Sequence, residues 1–422
     1  MMRIHRLLLL LALVLISTPV HALNVGSDGT DGVLSITANT TIDLSLAPTA
    51  PWTTPSDPST KRGVYDPAKW AVVFKYDSVY VANGVNVTFL NHPSMAPVVW
   101  LVNRGVKIQG QIILDGSGGV GGNASFAAGG PGGFRGGIGS FWNGTGSPGF
   151  GPGGGQLIPG SNGGGGSYKN VGGNGGPAYG NDRVLPLIGG SGGAGAGVGT
   201  SGGGGGGGAI LIASNRTLQV IKNGIYGGIW SRGGAGVYSS PWWSGGGSAG
   251  AIRLIADTMA GQADWLMATG GNGVGVGSEG RIRLEANNLT IQNASTPPYT
   301  SQTPVSESGD IWPLDLPAVR VTYIGGQPAP SDPRANFNGP GDVLVITPNA
   351  VEVVMEANNV LVDGTWTVRL RLAPTVGDES TPPLTATMDP GGTTALSIWR
   401  VTLPALTVQR CSAIQARAHK LH

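Results

Sequence analysis

Ala251-Ile252-Arg253-Leu254-Ile255-Ala256-Asp257 decides the fold, because three other segments repeat its residue classes without a gap. They are Pro97 to Asn103, Ala209 to Asn215 and Arg281 to Asn287. The second and fourth positions are large and apolar: Val98 and Trp100, Ile210 and Ile212, Ile252 and Leu254, Ile282 and Leu284. Such period-two alternation marks a strand with one buried face. The third position varies (Val99, Leu211, Arg253, Arg283), which assigns it to the outward face. The seventh is Asn103, Asn215, Asp257 or Asn287. A short amide or carboxylate there suits a turn, since it tolerates the left-handed backbone region. Stacked segments would place like residues in columns about 4.8 Å apart, with amides hydrogen-bonded along the column.

Each segment leads into further short apolar stretches. Val106-Lys107-Ile108, Leu218-Gln219-Val220 and Leu289-Thr290-Ile291 alternate, while Met259-Ala260-Gly261 is weaker. Ile112-Ile113-Leu114, Ile225 to Trp230 and Trp265-Leu266-Met267 form a third set. Three short strands per repeat predict one rung of a parallel β-helix, and Val33 to Leu44 and Val79 to Leu90 read as earlier rungs. A β-sandwich is the competing fold, but it does not require the same residue classes in register.

About 60 of the 76 glycines lie between Gly116 and Gly280. They fill one long insertion, Gly116 to Gly208, and shorter ones, Gly233 to Gly250 and Gly270 to Gly280. All leave after the third strand of a rung, so they should emerge along one edge. Ordering a glycine costs ~0.5–1 kcal/mol more than ordering an alanine, so these tracts are either solvated loops or a bundle of threefold glycine helices packed without Cβ atoms. Gly130, Gly133, Gly136 and Gly139 keep a triplet phase, and Phe134, Ile138, Phe141, Trp142 and Phe150 are candidates to cap such a bundle. The phase fails beyond that stretch, which excludes collagen.

Residues 1–22 read as a signal peptide: Arg3, His5 and Arg6, then the apolar run Leu7 to Ile16, then Val20-His21-Ala22 before a cut. The run is too short for a permanent span, and no second long apolar segment follows. The expected location is therefore secreted or at the cell surface, with no integral membrane segment after cleavage. Charged residues make up 11% of the 422 and the formal net charge is +2, which gives no electrostatic case for nucleic acid. A single cysteine, Cys411, excludes an internal disulfide framework.

Motifs for chemistry are sparse. No Gly-Lys-Ser or Gly-Lys-Thr occurs among the glycines. Gly26-Ser27-Asp28-Gly29-Thr30-Asp31-Gly32 reads as a turn in preference to a weak calcium loop. Only His92, His419 and His422 follow the leader, too few for a histidine zinc site or a Ser-His-Asp triad. No metal or cofactor is expected. Glycoside hydrolysis needs two facing carboxylates, and Asp115, Asp182, Asp257, Asp264, Glu279 and Glu285 offer no close pair on one strand. Asp115 and Asp257 read as turn residues. Arg253, Arg283 and Glu285 read either as a solvated ion-pair face or as a cradle for an acidic sugar. The aromatic residues Trp230, Tyr238, Trp242 and Trp243, with Tyr226 nearby, are the better binding candidates, although packing against the bundle or the flank would use them equally well.

The expected domains are residues 23–294 as a glycine-rich parallel β-helix (116–208 its main insertion), 295–317 as a linker and 318–422 as an immunoglobulin-like β-sandwich. Short strands are expected at Val319 to Tyr323, Val343 to Thr347, Val351 to Met355, Trp366 to Leu372, Leu396 to Leu403 and Thr407 to Arg417. Such a domain serves as a spacer, an attachment point or a site for a protein partner.

Asn86-Val87-Thr88-Phe89, Ile112 to Gly116, Gly208 to Ala213, Gly250 to Leu254 and Ile414 to Ala418 together resemble glycine-rich exported bacterial proteins. The resemblance covers nearly all of the chain after the leader. It implies a right-handed parallel β-helix of the pectate-lyase-like superfold with a C-terminal β-sandwich, and carries no catalytic residue across. By composition alone, the insertion is similar to the polyglycine bundles of some phage tail adhesins. The expected function is a non-catalytic surface or matrix protein, binding glycans or serving adhesion. The competing classes are a polysaccharide lyase or glycoside hydrolase and a structural filament or coat component.

Overall fold

The computed structural model describes residues 23–121, 126–139, 146–157, 162–196, 201–224, 227–303, 305, 311–312, 317–330, 342–345, 349–374, 384–403 and 412–421. The expected leader, Phe141, Trp142, Tyr226 and Cys411 lie outside them. The fold is all-β; the one helical turn among the described residues is the 3₁₀ turn Leu44–Leu46.

Seven strands of a nine-stranded sheet run in the order Gly32–Ile36, Ala71–Val81, Val98–Val102, Ala209–Val220, Ala251–Gln262, Arg281–Gln292, Thr300–Gln302, and Val64–Asp66 and Val106–Ile108 pair off this path. All neighbours along the path pair in parallel. Ile210 lies opposite Val98 and Ile252, and Ile252 lies opposite Ile282. The four aligned segments are therefore superposed in the register their residue classes implied. Ala71 to Asp77 is a fifth, with Val72, Phe74 and Tyr76 against Val98, Trp100 and Val102. It went unread because Tyr76 occupies the sixth position, which is small or aliphatic in the other four segments (Val102, Ser214, Ala256, Ala286).

A second, five-stranded parallel sheet is ordered Leu266–Met267, Gly228–Trp230, Gln111–Ile113, Asn86–Leu90, Thr40–Asp43. Ile112, Ile229 and Leu266 form its inner row. These residues share one buried cluster with Val98, Ile210, Ile252 and Ile282. Full burial of each such side chain stabilises the fold by ~1.5–3 kcal/mol.

Two expectations need correction. Of the seventh-position residues, Asn103 follows the end of its strand, Val98–Val102, but Asn215, Asp257 and Asn287 do not end theirs: Ala209–Val220, Ala251–Gln262 and Arg281–Gln292 run straight through them, and none of the four has positive φ. Their side chains bridge neighbouring strands of the sheet instead. Asn103 Nδ2 donates to Asp77 Oδ1 (3.3 Å), Asn215 Nδ2 to Asn103 Oδ1 (3.4 Å) and Asn287 Nδ2 to Asp257 Oδ1 (2.9 Å). The register shift near Asp257 separates the two groups. The outward face is not solvated either. Val73, Val99, Leu101, Leu211 and Ile255 form a second buried cluster, covered by Leu23, Val25, Tyr168, Val184, Leu187, Val305 and Ile311. Part of that cover comes from the stretch expected to be a linker, whose Thr300–Gln302 also extends the sheet.

The glycine tracts are ordered by their own backbones. Gly203 and Gly206 donate to Gly137 O and Phe134 O; Gly204 and Gly207 donate to Gly245 O and Ser248 O; Gly205 and Gly208 donate to Ser117 O and Leu114 O. Donors three residues apart thus reach the same neighbour, which is the period of a threefold extended helix. The Cα hydrogens face three more segments: a methyl group on Gly206, Gly204 or Gly205 would sit 1.9, 2.0 or 2.1 Å from Gly190 O, Gly234 O or Ala128 O. Six segments therefore surround 203–208. No triplet repeat in the sequence is needed, because every position of that run is glycine. Phe134 meets Trp70, while Ile138 and Phe150 are buried.

Residues 318–421 form two antiparallel sheets. Val353, Met355, Val368, Leu370 and Trp399 make their common core. The last strand is Ser412–Lys420, and Val343 to Val345 is not a strand.

Candidate functional site

The seven residues singled out in the sequence fall into three separate places. Arg253 and Glu285 lie on adjacent strands of the nine-stranded sheet, on the covered face, 2% and 3% exposed. Arg253 Nε donates to Glu285 Oε1 (2.8 Å), and Arg283 Nε reaches the same oxygen (3.3 Å). Arg283 also donates to Gln302 Oε1, tying down the covering segment. This group is neither a solvated ion-pair face nor an open cradle. It is a buried cluster, in which removing one partner strands a charge away from water.

Trp230 lies on the five-stranded sheet and stacks on Trp265, centroids 5.7 Å apart and planes 20° apart. The Arg232 guanidinium lies 4.1 Å from the Trp230 ring and Lys222 Nζ 5.6 Å from the Trp265 ring. Arg232 holds Asp115 Oδ2 at 2.6 Å and Lys222 holds Asp264 Oδ2 at 2.6 Å. Burial works to raise the Asp264 carboxyl, but hydrogen bonds from Lys222 and Asn293 outweigh it and hold it below the usual range. Both outer ring faces thus carry a cation, which leaves little for a sugar. Each of the six carboxylates considered for hydrolysis has a partner: Asp115 and Asp182 an arginine, Asp264 and Glu279 a lysine, Asp257 an asparagine and Glu285 two arginines.

Tyr238, Trp242 and Trp243 are different. Tyr238–Ser239 and Trp242–Trp243 pair as a two-stranded antiparallel ribbon inside a glycine excursion. Tyr238 is 48% and Trp243 41% exposed, with rings 4.8 Å apart and tilted by 39°. The main chain of the ribbon is pinned by both side-chain and backbone partners. Trp243 N–H donates to Asn162 Oδ1 (2.7 Å), Gly163 N–H donates to Trp243 O (2.9 Å), and Val237 N–H donates to Ser244 Oγ (2.6 Å). Exposed rings on a pre-set backbone lose little freedom when they bind.

The serines within the glycine tracts went unread. Ser147, Ser167, Ser191, Ser201, Ser231, Ser244 and Ser248 are fully or almost fully buried. Ser248 Oγ accepts from Ser191 N (2.7 Å) and donates to Ser167 O (3.1 Å); Ser231 Oγ donates to Gly208 O (2.6 Å). Their recurrence among the glycines was the available signal: Ser is small enough to enter, and its hydroxyl serves backbone groups the lattice misses. Tyr168 and Tyr179 close one flank, donating to Ile188 O and Gly189 O, and burial pushes both phenols above their ordinary range. Burial also pushes Arg135 down to about 9; its guanidinium lies 3.8 Å from the Phe150 ring and 4.7 Å from the Phe126 ring.

In the 26–32 loop, Asp28 Oδ1 accepts from Thr30, as an Asx turn does. Lys75 Nζ lies 3.5 Å from Asp28 Oδ2 and donates to Thr54 O. Asp31 accepts backbone bonds from Lys75 and Gly63. Among the described residues no group of three or more His, Cys, Asp or Glu is placed to hold a metal, and no helix is long and apolar enough to cross a membrane. No family model, curated protein or solved structure matches the chain.

Proposed function

We propose that the protein is a non-catalytic, exported surface or matrix protein that binds glycans through the Tyr238–Trp243 ribbon. In this reading the two parallel sheets are faces of one parallel β-helix, which carries the glycine bundle on one edge and an immunoglobulin-like sandwich behind it. In-register columns in both sheets and their shared core support the helix. The basic, apolar, small-residue order of 1–22 supports export. The observation that carries the binding role is the exposed Tyr238–Trp243 pair, its main chain pinned by Asn162, Ser244 and Gly163 beside the glycine tracts. Aromatic faces stack on the C–H faces of sugar rings, and a rigid mount keeps the entropic cost of binding low.

A glycan array probed with residues 23–422 tests this. The expected outcome is retention on immobilised polysaccharide, weakened about tenfold by Trp243→Ala, the size expected of a binding hot spot, with the polymer left intact. New reducing ends or unsaturated uronates released from the polymer would overturn the non-catalytic reading.

A further inference from the structure

Around the aromatic ribbon several loops meet, and charge enters them only at their margins, where Lys169 and Glu279 pair with each other. Val237 lies against Gly119, next to Val120. Gly236 N–H donates to Asn272 O, bringing in the loop with Val274 and Val276, 54% and 52% exposed. Gly173 N–H donates to Val276 O, adding the loop with exposed Val171. Asn162 is already bonded to Trp243. The stretches 116–134, 136–168, 170–181, 184–215, 233–252 and 265–278 contain no Asp, Glu, Lys or Arg. Among the charges that lie next to these stretches in sequence, Lys169 pairs with Glu279, Arg232 with Asp115 and Arg281 with Asp182.

We infer that this face takes an uncharged polysaccharide, laid across the ribbon and the 120, 171 and 274–276 loops. The inference rests on the glycan reading above and narrows it. A uronic or sulfated polymer would bring anionic groups to a surface with no counter-charge, and losing their hydration would oppose binding. A neutral sugar presents C–H patches to Tyr238, Trp243 and the valines, and hydroxyls to backbone and asparagine groups. Exposed valines beside aromatic rings suit that mixed surface. No steering charge is available, so binding should be insensitive to salt.

The test measures binding of the 23–422 chain to neutral dextran, laminarin and xyloglucan, and to polygalacturonate and alginate. Each is run at low salt and at ~1 M NaCl, where the Debye length falls to about 3 Å. Retention on a neutral polymer at both salts, reduced about tenfold by Trp243→Ala and restored by Trp243→Phe, is the expected result. Salt-sensitive binding to the uronic polymers alone would overturn the uncharged class and leave the glycan reading standing. Binding to none of the polymers, or binding that Trp243→Ala does not change, would overturn both. Thermal unfolding of each variant checks that a loss of binding is not a loss of fold.

Discussion

The parallel sheets and the glycine bundle belong to the same passes of the chain, yet they are held by opposite means. In the sheets, side chains fill the space: Val98, Ile210, Ile252 and Ile282 occupy one column. In the bundle, the backbone fills it, and six segments close around residues 203–208 with almost no side chain between them. A column of apolar residues asks for hydrophobicity and approximate volume. A backbone lattice asks for the absence of Cβ at nearly every position. The first has a loose sequence requirement and the second a severe one.

Substitutions should expose that contrast. Gly206→Ala places a methyl group 1.9 Å from Gly190 O, with backbone on every side. The expected loss is ~3 kcal/mol or more, beyond ordinary overpacking, measured as a fall in the denaturation midpoint. Ile252→Ala removes a fully buried side chain and should cost ~2–5 kcal/mol, whereas Ile252→Val should cost only ~0.5–1.5 kcal/mol. A Gly206→Ala variant as stable as Ile252→Val would erase the distinction between the two regions. Ser248→Ala leaves Ser191 N–H without its acceptor and should cost ~1–3 kcal/mol.

The smallest effect is an alkaline one. Burial raises Tyr168 and Tyr179 above the ordinary phenol value of 10.0. Between the two values the unfolded chain releases protons that the folded chain keeps, so stability falls as pH rises. Their contribution is fully present below pH 10 and is lost above it. Tyr179→Phe should flatten the stability profile above pH 10, and an unchanged profile would count against an ordered bundle.

The sheet was legible because alternation at Ile210-Leu211-Ile212 and Ile252-Arg253-Leu254 reports one buried face directly. The second buried face was also written there, in Val99, Leu101, Leu211 and Ile255, but Arg253 and Arg283 at equivalent positions made it look solvated. Glu285, supplied by the strand next to Arg253, is what lets those arginines lie under cover. The covering residues come from Leu23, Tyr168, Val184 and Val305, too scattered in sequence to show any period. In the bundle, composition left solvated loops and close packing both open, and glycine carries no pattern, so which segments meet could not be read. The aromatic ribbon was visible as Tyr238 and Trp242-Trp243. Its separation from Trp230 was not, because neighbours in sequence are carried apart once an excursion leaves the sheet.

The central glycine run also constrains the order of assembly. Segments 114–117, 128–131, 134–137 and 190–193 precede it in the chain, whereas 231–234 and 245–248 come later. Gly204 and Gly207 must therefore wait, their amides served by water, until the carbonyls of Gly245 and Ser248 arrive. A chain synthesised from its N-terminus lays the keystone before two of its flanking stones, so the arch can lock only once the last of them has been delivered.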